Sequence, residues 1–218
     1  SVNMAAAGIY TMGGAFWEFG QPDWDYTKLF MLFGVAEDHD SNPIKMGIGR
    51  AKKNGAKIVG VNPIRTGYNA VADEWVGITP GTDGLFILSM IHCLMKAGQM
   101  DLEYLARFTN ASVLVNEDPN SDQRGQFLRD DDGQPLVIDR NTGKLAPWNG
   151  QGVEPDLAGT HRAKGVTHRP VFHLMADKYM SDEYAPEAVA ERTGLSRQTL
   201  YRQALDLAKS PNSSQSDE

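Results

Sequence analysis

Apolar residues along this chain first come in short continuous blocks and later at helical spacing. From Lys28 to Gly34 the run KLFMLFG is short and ends in glycine, the pattern of a strand buried on both faces of a parallel sheet. The polar loop VAEDHDSN follows. From Pro43 to about Lys53, Ile44, Ile48 and Ala51 recur at helical spacing, with Pro43 suited to the first turn and Gly55 to the exit, so a crossover helix is expected. KIVGV, from Lys57 to Val61, is strand-like again and runs into the loop NPIRTGYN. Strand, helix and strand make a βαβ unit, which should be right-handed. A third short strand around Trp75 to Ile78 leads into PGTDG and a strong helix. In that helix Leu85, Leu88, Ile91, Leu94 and Met95 share one face, Thr82 or Asp83 can cap the start and Gly98 can close the end. DLEYLARF is a second helix close behind.

From Val115 to about Arg169 the pattern breaks into Asp, Asn, Gly and Pro with only short apolar runs such as PLVID. RDDDGQ and RNTGK read as turns on either side of that run, so a hairpin set in a mostly irregular insertion is expected. After Pro170, VFHLMADKYM, PEAVAERTG and SRQTLYRQALDLAK read as helices, the last two joined by the turn TGLS. The expected fold class is α/β: a Rossmann-like, mainly parallel sheet with flanking helices, an irregular insertion with a β-hairpin, and C-terminal helices. The segments fall at 1–112 for the α/β domain, 113–169 for the insertion, 170–210 for the helices and 211–218 for a polar, disordered tail.

Composition narrows the partners. With a formal net charge of −7 over 218 residues, the chain opposes a polyanionic partner, so no nucleic acid is expected. The lone cysteine, Cys93, excludes an intrachain disulfide framework and any iron-sulfur cluster or cysteine-rich zinc site built from this chain alone. No apolar run approaches the roughly 20 residues of a membrane span. The opening SVNMAAAGIYTMGG has no basic leader before a long apolar core; it reads as a chain entered midway, with a cytoplasmic location expected and a periplasmic one left open.

A doubly wound sheet invites a dinucleotide reading, but G-x-G-x-x-G after the first strand is absent: Gly47 and Gly49 fall inside the expected helix. Three polar loops, GVAEDHDSNP, NPIRT and TPGTD, are instead expected at the carboxyl ends of the strands, where open α/β sheets bind ligands. Side chains and a helix N-terminus there can grip a nucleotide. Taken alone, His39 reads as an exposed loop histidine and Arg65 as a partner for a surface carboxylate. Cys93 reads as a buried apolar residue. The spacing of His161, His168 and His173 fits no compact zinc motif. Phe16, Trp17, Phe19 and Trp24 are expected to pack on the sheet or a neighbouring domain, with the lining of a substrate funnel as the functional counterpart.

The ordered series FMLFGVAEDHDSNP, then NGAKIVGVNPIRTGYNAVADEWVGITPGTDG, then the apolar helix, resembles the molybdopterin-guanine-dinucleotide domain of the dimethyl sulfoxide reductase superfamily, which includes formate dehydrogenases and nitrate reductases. The likeness is close over the first half of the chain and looser over the last helices. It implies a molybdenum or tungsten bis-molybdopterin guanine dinucleotide cofactor. Phosphates and pterin would meet Gly34, Val35, Glu37, His39 and Ser41. The guanosine would meet Asn62, Pro63, Arg65 and Thr66, and the grip would close with Pro80, Gly81, Thr82 and Asp83. Many relatives have Asp where this chain has Asn62; an amide keeps one acceptor and adds donors. The resemblance puts the metal ligand at or just before Ser1, so no catalytic residue is assigned and the metal-binding residues stay unknown. It puts an iron-sulfur cluster only in a preceding segment of a parent chain. The implied parent is an oxidoreductase acting on a small substrate, its partners the remaining domains and an electron-transfer subunit, with this chain alone inactive.

Two rival readings come from other classes. PEAVAERTGLSRQTLYRQALDLA resembles a helix-turn-helix in which Ser196, Arg197, Gln198, Thr199 and Arg202 would read a major groove. Alternatively, the same three loops belong to a noncatalytic nucleotide-binding module.

Overall fold

Strands β1 (Leu29–Phe33), β2 (Lys57–Val61) and β3 (Glu74–Val76) run parallel, side by side in chain order, with Phe33, Val61 and Val76 level at their carboxyl ends. The fold is therefore mixed α/β with one parallel sheet. It comes from a computed structural model that describes residues 22–34, 42–65 and 67–210. The chain divides into two units, residues 1–78 with 209–218, and residues 79–208.

In the first unit, parallel pairing of β1 with β2 requires a crossover, and α1 (Asn42–Lys53) lies between them in sequence. Its Ile48 and Ala51 are buried in one core with Leu32, Ile58 and Tyr68, whereas Ile44 stays exposed. Burying a side chain the size of Ile48 stabilises by about 2 kcal/mol. Trp24 joins this core, 4.9 Å from the ring of Phe30, and lies where a Cβ on Gly47 would fall 2.2 Å from its indole. Gly47 is thus a packing glycine on a helix. Phe16, Trp17 and Phe19 lie outside the described residues.

The strands depart from expectation in two places. β2, the central strand, is buried from Ile58 to Val61, but β1 has only Leu32 buried and is otherwise half-exposed, because among the described residues it has a ladder partner on one side alone. β3 starts at Glu74 and ends at Val76, earlier than the apolar residues suggested, and a Cβ on Gly77 just beyond it would stand 2.8 Å from the Trp75 ring. Asp73 ties the unit together from the far edge: its carboxylate accepts the Ile58 N–H at 2.8 Å and pairs with Lys52 of α1 at 2.8 Å. Burial pushes the Asp73 carboxyl up, but the Lys52 and Ile58 hydrogen bonds and the charges of Lys52 and Lys57 outweigh it and leave it below the ordinary carboxylate value.

In the second unit, α2 (Asp83–Lys96) packs against α5 (Pro186–Thr193) and α6 (Arg197–Ala208), with α4 (Val171–Tyr179) also against it. Its buried residues are Phe86, Ser89, Met90, His92, Cys93 and Met95, so the core face is turned from the expected one; Leu85, Leu88, Ile91 and Leu94 are only partly buried. Thr82 stands at the N-cap without capping, its hydroxyl donating instead to the Thr79 carbonyl at 2.7 Å. The exit is as expected. Gly98 takes φ +65, and the N–H groups of Gly98 and Gln99 reach the carbonyls of Met95 and Leu94. Helix α3 (Leu102–Phe108) is capped by Asp101, which accepts the Tyr104 N–H.

The region expected to be mostly irregular is more ordered. β5 (Leu136–Ile138) and β6 (Leu145–Pro147) form the anticipated hairpin across the RNTGK turn. A second antiparallel sheet, β4 (Leu114–Asn116), β8 (Val166–Pro170) and β7 (His161–Ala163) in that order, closes its base. β4 and β8 pair across about fifty residues, a long-range register that no local pattern announces. β7 and β8 join through Lys164 and Gly165, at φ +50 and +79. Lysine in this left-handed position costs about 1–2 kcal/mol, where Asn or Gly is the usual choice.

Candidate functional site at the carboxyl edge of the parallel sheet

At the level carboxyl ends of β1, β2 and β3, Gly34 and Asn62 begin two of the polar loops. Gly34 turns out of β1 at φ +66 while its N–H still donates to the Val61 carbonyl at 3.0 Å. Asn62 continues the ladder, its N–H donating to the Val76 carbonyl at 3.1 Å. Its carbonyl accepts the Trp75 indole N–H at 2.9 Å. The Asn62 side chain is buried, 5 % exposed, yet its Nδ2 has no hydrogen-bond partner among the described residues. A buried amide in that condition loses about 1–3 kcal/mol relative to one that is paired. Pro63 and Arg65 follow on the surface, both exposed.

Two residues that no motif flagged hold this loop. Asn69 is 2 % exposed and donates from Nδ2 to the Ile64 carbonyl at 3.1 Å, bracing the segment from beneath. Its Oδ1 presses on β2 so closely that a Cβ on Gly60 would stand 1.8 Å away. Trp75 holds the Asn62 carbonyl and rests against Gly77. The signals were present, a glycine inside a β-rich run and a tryptophan beside a loop, but neither carries a partner's name in the sequence.

In the second unit, Pro80, Gly81, Thr82 and Asp83 form the entry to α2. Pro80 and Gly81 are exposed, Gly81 at φ +80, and Asp83 is half-buried in the first turn, where a carboxylate is favoured by the helix dipole. The start of this loop is fixed by the α5–α6 turn. The Thr79 N–H donates to the Thr193 carbonyl at 2.9 Å, and the Thr79 hydroxyl stands 3.0 Å from where a Cβ on Gly194 would be. Thr193 and Leu195 of the TGLS turn are buried, so this helical pair acts as a buttress for the loop.

Val35, Glu37, His39, Ser41 and Thr66 lie outside the described residues. Among the described residues, no cluster of three or more His, Cys, Asp or Glu could hold a metal ion, and no helix is long and apolar enough to cross a membrane. Cys93 is buried, and burial pushes its thiol up to about 11. The three histidines serve backbone: His161 Nε2 bonds the Ala158 carbonyl at 3.1 Å, His168 Nδ1 the Val166 carbonyl at 3.1 Å, and His173 Nδ1 accepts the Gly159 N–H at 2.9 Å.

No protein-family model matches the chain. Over 217 residues it is 42% identical to a sulfite dehydrogenase subunit of Allochromatium vinosum, covering 95% of this chain and 22% of that protein. It is 31% identical over 180 residues to a putative dimethyl sulfoxide reductase catalytic subunit of Halobacterium salinarum, covering 79% of this chain and 21% of that one. Among solved structures, acetylene hydratase from Pelobacter acetylenicus shares the fold over 86% of this chain and 18% of its own, with TM-score 0.53 and 16% identity. The chain therefore spans about a fifth of the length of the curated relatives it matches. Its parallel sheet with a polar carboxyl edge and its near-complete alignment with these proteins lead to one family: the chain belongs to the molybdopterin oxidoreductases of the dimethyl sulfoxide reductase superfamily.

Proposed function

We propose that this chain is the part of a molybdopterin-dependent oxidoreductase catalytic subunit that holds the guanosine diphosphate end of its cofactor. The observation that carries the reading is Asn62, a buried amide whose Nδ2 has no partner among the described residues, at the carboxyl edge of a parallel sheet. Ligands bind open α/β sheets at that edge, which also supports a Rossmann-like description of the domain. The residues fit a guanine nucleotide chemically. Guanine offers acceptors at O6 and N7, which an amide donor such as Asn62 Nδ2 satisfies; taken by itself in the second unit, Asp83 offers a carboxylate that suits an exocyclic amine donor. Arg65, exposed beside Asn62 and Pro63, supplies positive charge for ribose or phosphate oxygens. The N–H groups at the start of α2 suit an anion.

When bound, the cofactor's molybdenum or tungsten centre supplies two-electron redox of a small substrate. This chain's contribution is placement. Asn69 and Trp75 stiffen the Asn62 loop, and a handle held by such braced backbone keeps the reactive end in one orientation. The partners this reading requires are the remaining domains of a larger catalytic polypeptide together with an electron-transfer subunit.

Titrating the 218-residue chain with guanosine diphosphate tests it. Saturable binding is expected, weakened about tenfold or more by Asp83→Ala, which removes a charge-assisted hydrogen bond, and untouched by Arg202→Ala on α6. Salt-sensitive binding to duplex DNA that is lost in Arg202→Ala and kept in Asp83→Ala would instead establish the helix-turn-helix reading.

A further inference from the structure

The second unit contains a cavity of about 640 Å³ that the cofactor reading does not use, lined by residues of the β4–β8–β7 sheet and the turns beside it. Arg129 and Lys164 both line it. Neither has a carboxylate partner among the described residues: Arg129 donates to the Gly133 carbonyl at 2.7 Å and lies 6.0 Å over the Phe127 ring, and Lys164 reaches only the Arg129 carbonyl, at 3.5 Å. Asp130, which also lines the cavity, has its Oδ1 engaged by the N–H groups of Asp132 and Gln134 in its own turn. Two cations with free hydrogen-bonding capacity thus face one cavity against the single carboxylate of Asp130, in a chain whose net charge is −7.

His168 supplies the third part. It is 2 % exposed and lines the same cavity. A carbonyl can only accept, so Nδ1, bonded to the Val166 carbonyl, carries the ring proton. Burial holds the ring neutral by lowering its pKa from the usual histidine value. Its Nε2 is then a bare acceptor, and it has no partner among the described residues. A fully ionised inorganic anion offers this nitrogen nothing, and a cation is repelled by Arg129 and Lys164. The complementary ligand is an anion that carries its own donor.

We propose that this cavity binds a small carboxylate with a neighbouring hydroxyl, the carboxylate held by Arg129 and Lys164 and the hydroxyl donating to His168 Nε2. A volume of about 640 Å³ is ample for such a molecule, and the apolar Phe127 ring offers a surface for its carbon skeleton. The residue at the β7–β8 turn fits this reading. Lys164 occupies a left-handed position that Asn or Gly fills at less cost, so its side chain rather than its backbone preference accounts for its presence.

Calorimetric titration of the 218-residue chain with L-lactate, with acetate as the probe lacking the hydroxyl, tests the site. Lactate is expected to bind saturably with Kd of order 1 mM, and acetate about fivefold or more weakly, the difference of one hydrogen bond to the His168 acceptor. Lys164→Asn, which suits the left-handed turn and therefore keeps the fold, should weaken lactate about tenfold. Arg129→Gln should do the same with an unchanged melting temperature, since among the described residues its guanidinium bonds only the carbonyl of its own turn. In the wild-type chain, lactate should also move the ¹⁵N resonance of His168 Nε2. Absence of saturable lactate binding, equal affinity for acetate, or unaltered affinity in both variants would overturn the proposal.

Discussion

Asn69 Oδ1 occupies the space where a side chain on residue 60 would begin, which makes Gly60 and Asn69 a single packing decision. Gly60→Ala must push the asparagine out, losing its hydrogen bond to the Ile64 carbonyl and the brace beneath the Asn62 loop. The expected loss is about 1–3 kcal/mol of unfolding free energy in a urea titration, the usual range for overpacking. Because both substitutions break the same contact, Gly60→Ala with Asn69→Ala should cost less than the two singles added. Strict additivity would remove Asn69 from this role. Two residues that end strands were legible from the chain alone, since Gly34 and Asn62 punctuate apolar runs, whereas β3 stops at Val76, before the apolar run does. Asn69 was not. A buried asparagine in a loop looks like any loop asparagine until the strand it touches is known.

At the scale of elements, α2 shows where pattern stops being informative. From Leu85 to Met95 nearly every residue is apolar, so periodicity foretold a helix and its Gly98 stop but pointed to the face of Leu85, Leu88, Ile91 and Leu94, whereas packing by α5 and α6 chose Phe86, Met90 and Cys93. The burial of Cys93 on that face has a measurable effect. Its thiol is raised by burial, and further by the Glu187 charge, to about 11, so the folded state favours the protonated form. The stability this contributes is complete below the ordinary thiol value of 9.0 and is lost as pH rises towards 11. Alkylation by iodoacetamide in the native state should be slow at neutral pH and become rapid in urea. Fast native alkylation would show the thiol to be outside the core. The β4–β8 pairing was illegible for a different reason: three residues of β4 find partners about fifty positions later, and no local signal joins them.

Considered whole, the molecule meets falling pH in two stages. His168 has its pKa lowered by burial, so it binds its proton less readily folded than unfolded; the stability it contributes is present above 6.5 and is lost as pH falls through the folded value. Asp73 and Asp139, both lowered, add a second loss below the ordinary carboxylate value of 3.8. A melting temperature measured against pH should therefore begin to fall just below the ordinary histidine range and fall again in acid, and His168→Gln should remove the first step alone. A single acid transition in the unsubstituted chain would contradict the neutral, buried state of His168.

The antiparallel pairing of Val115 with Arg169 also makes a neck. The segment between these residues also meets the body of its unit elsewhere, since Leu157 packs with Ala106 and Ala111, Glu154 pairs with Arg107, and the Gly159 N–H donates to His173 Nδ1. Doubling the length of a loop closed in this way costs only about 0.6 kcal/mol of chain entropy. The segment from 117 to 167 can thus change length cheaply in the turns that lie away from these contacts.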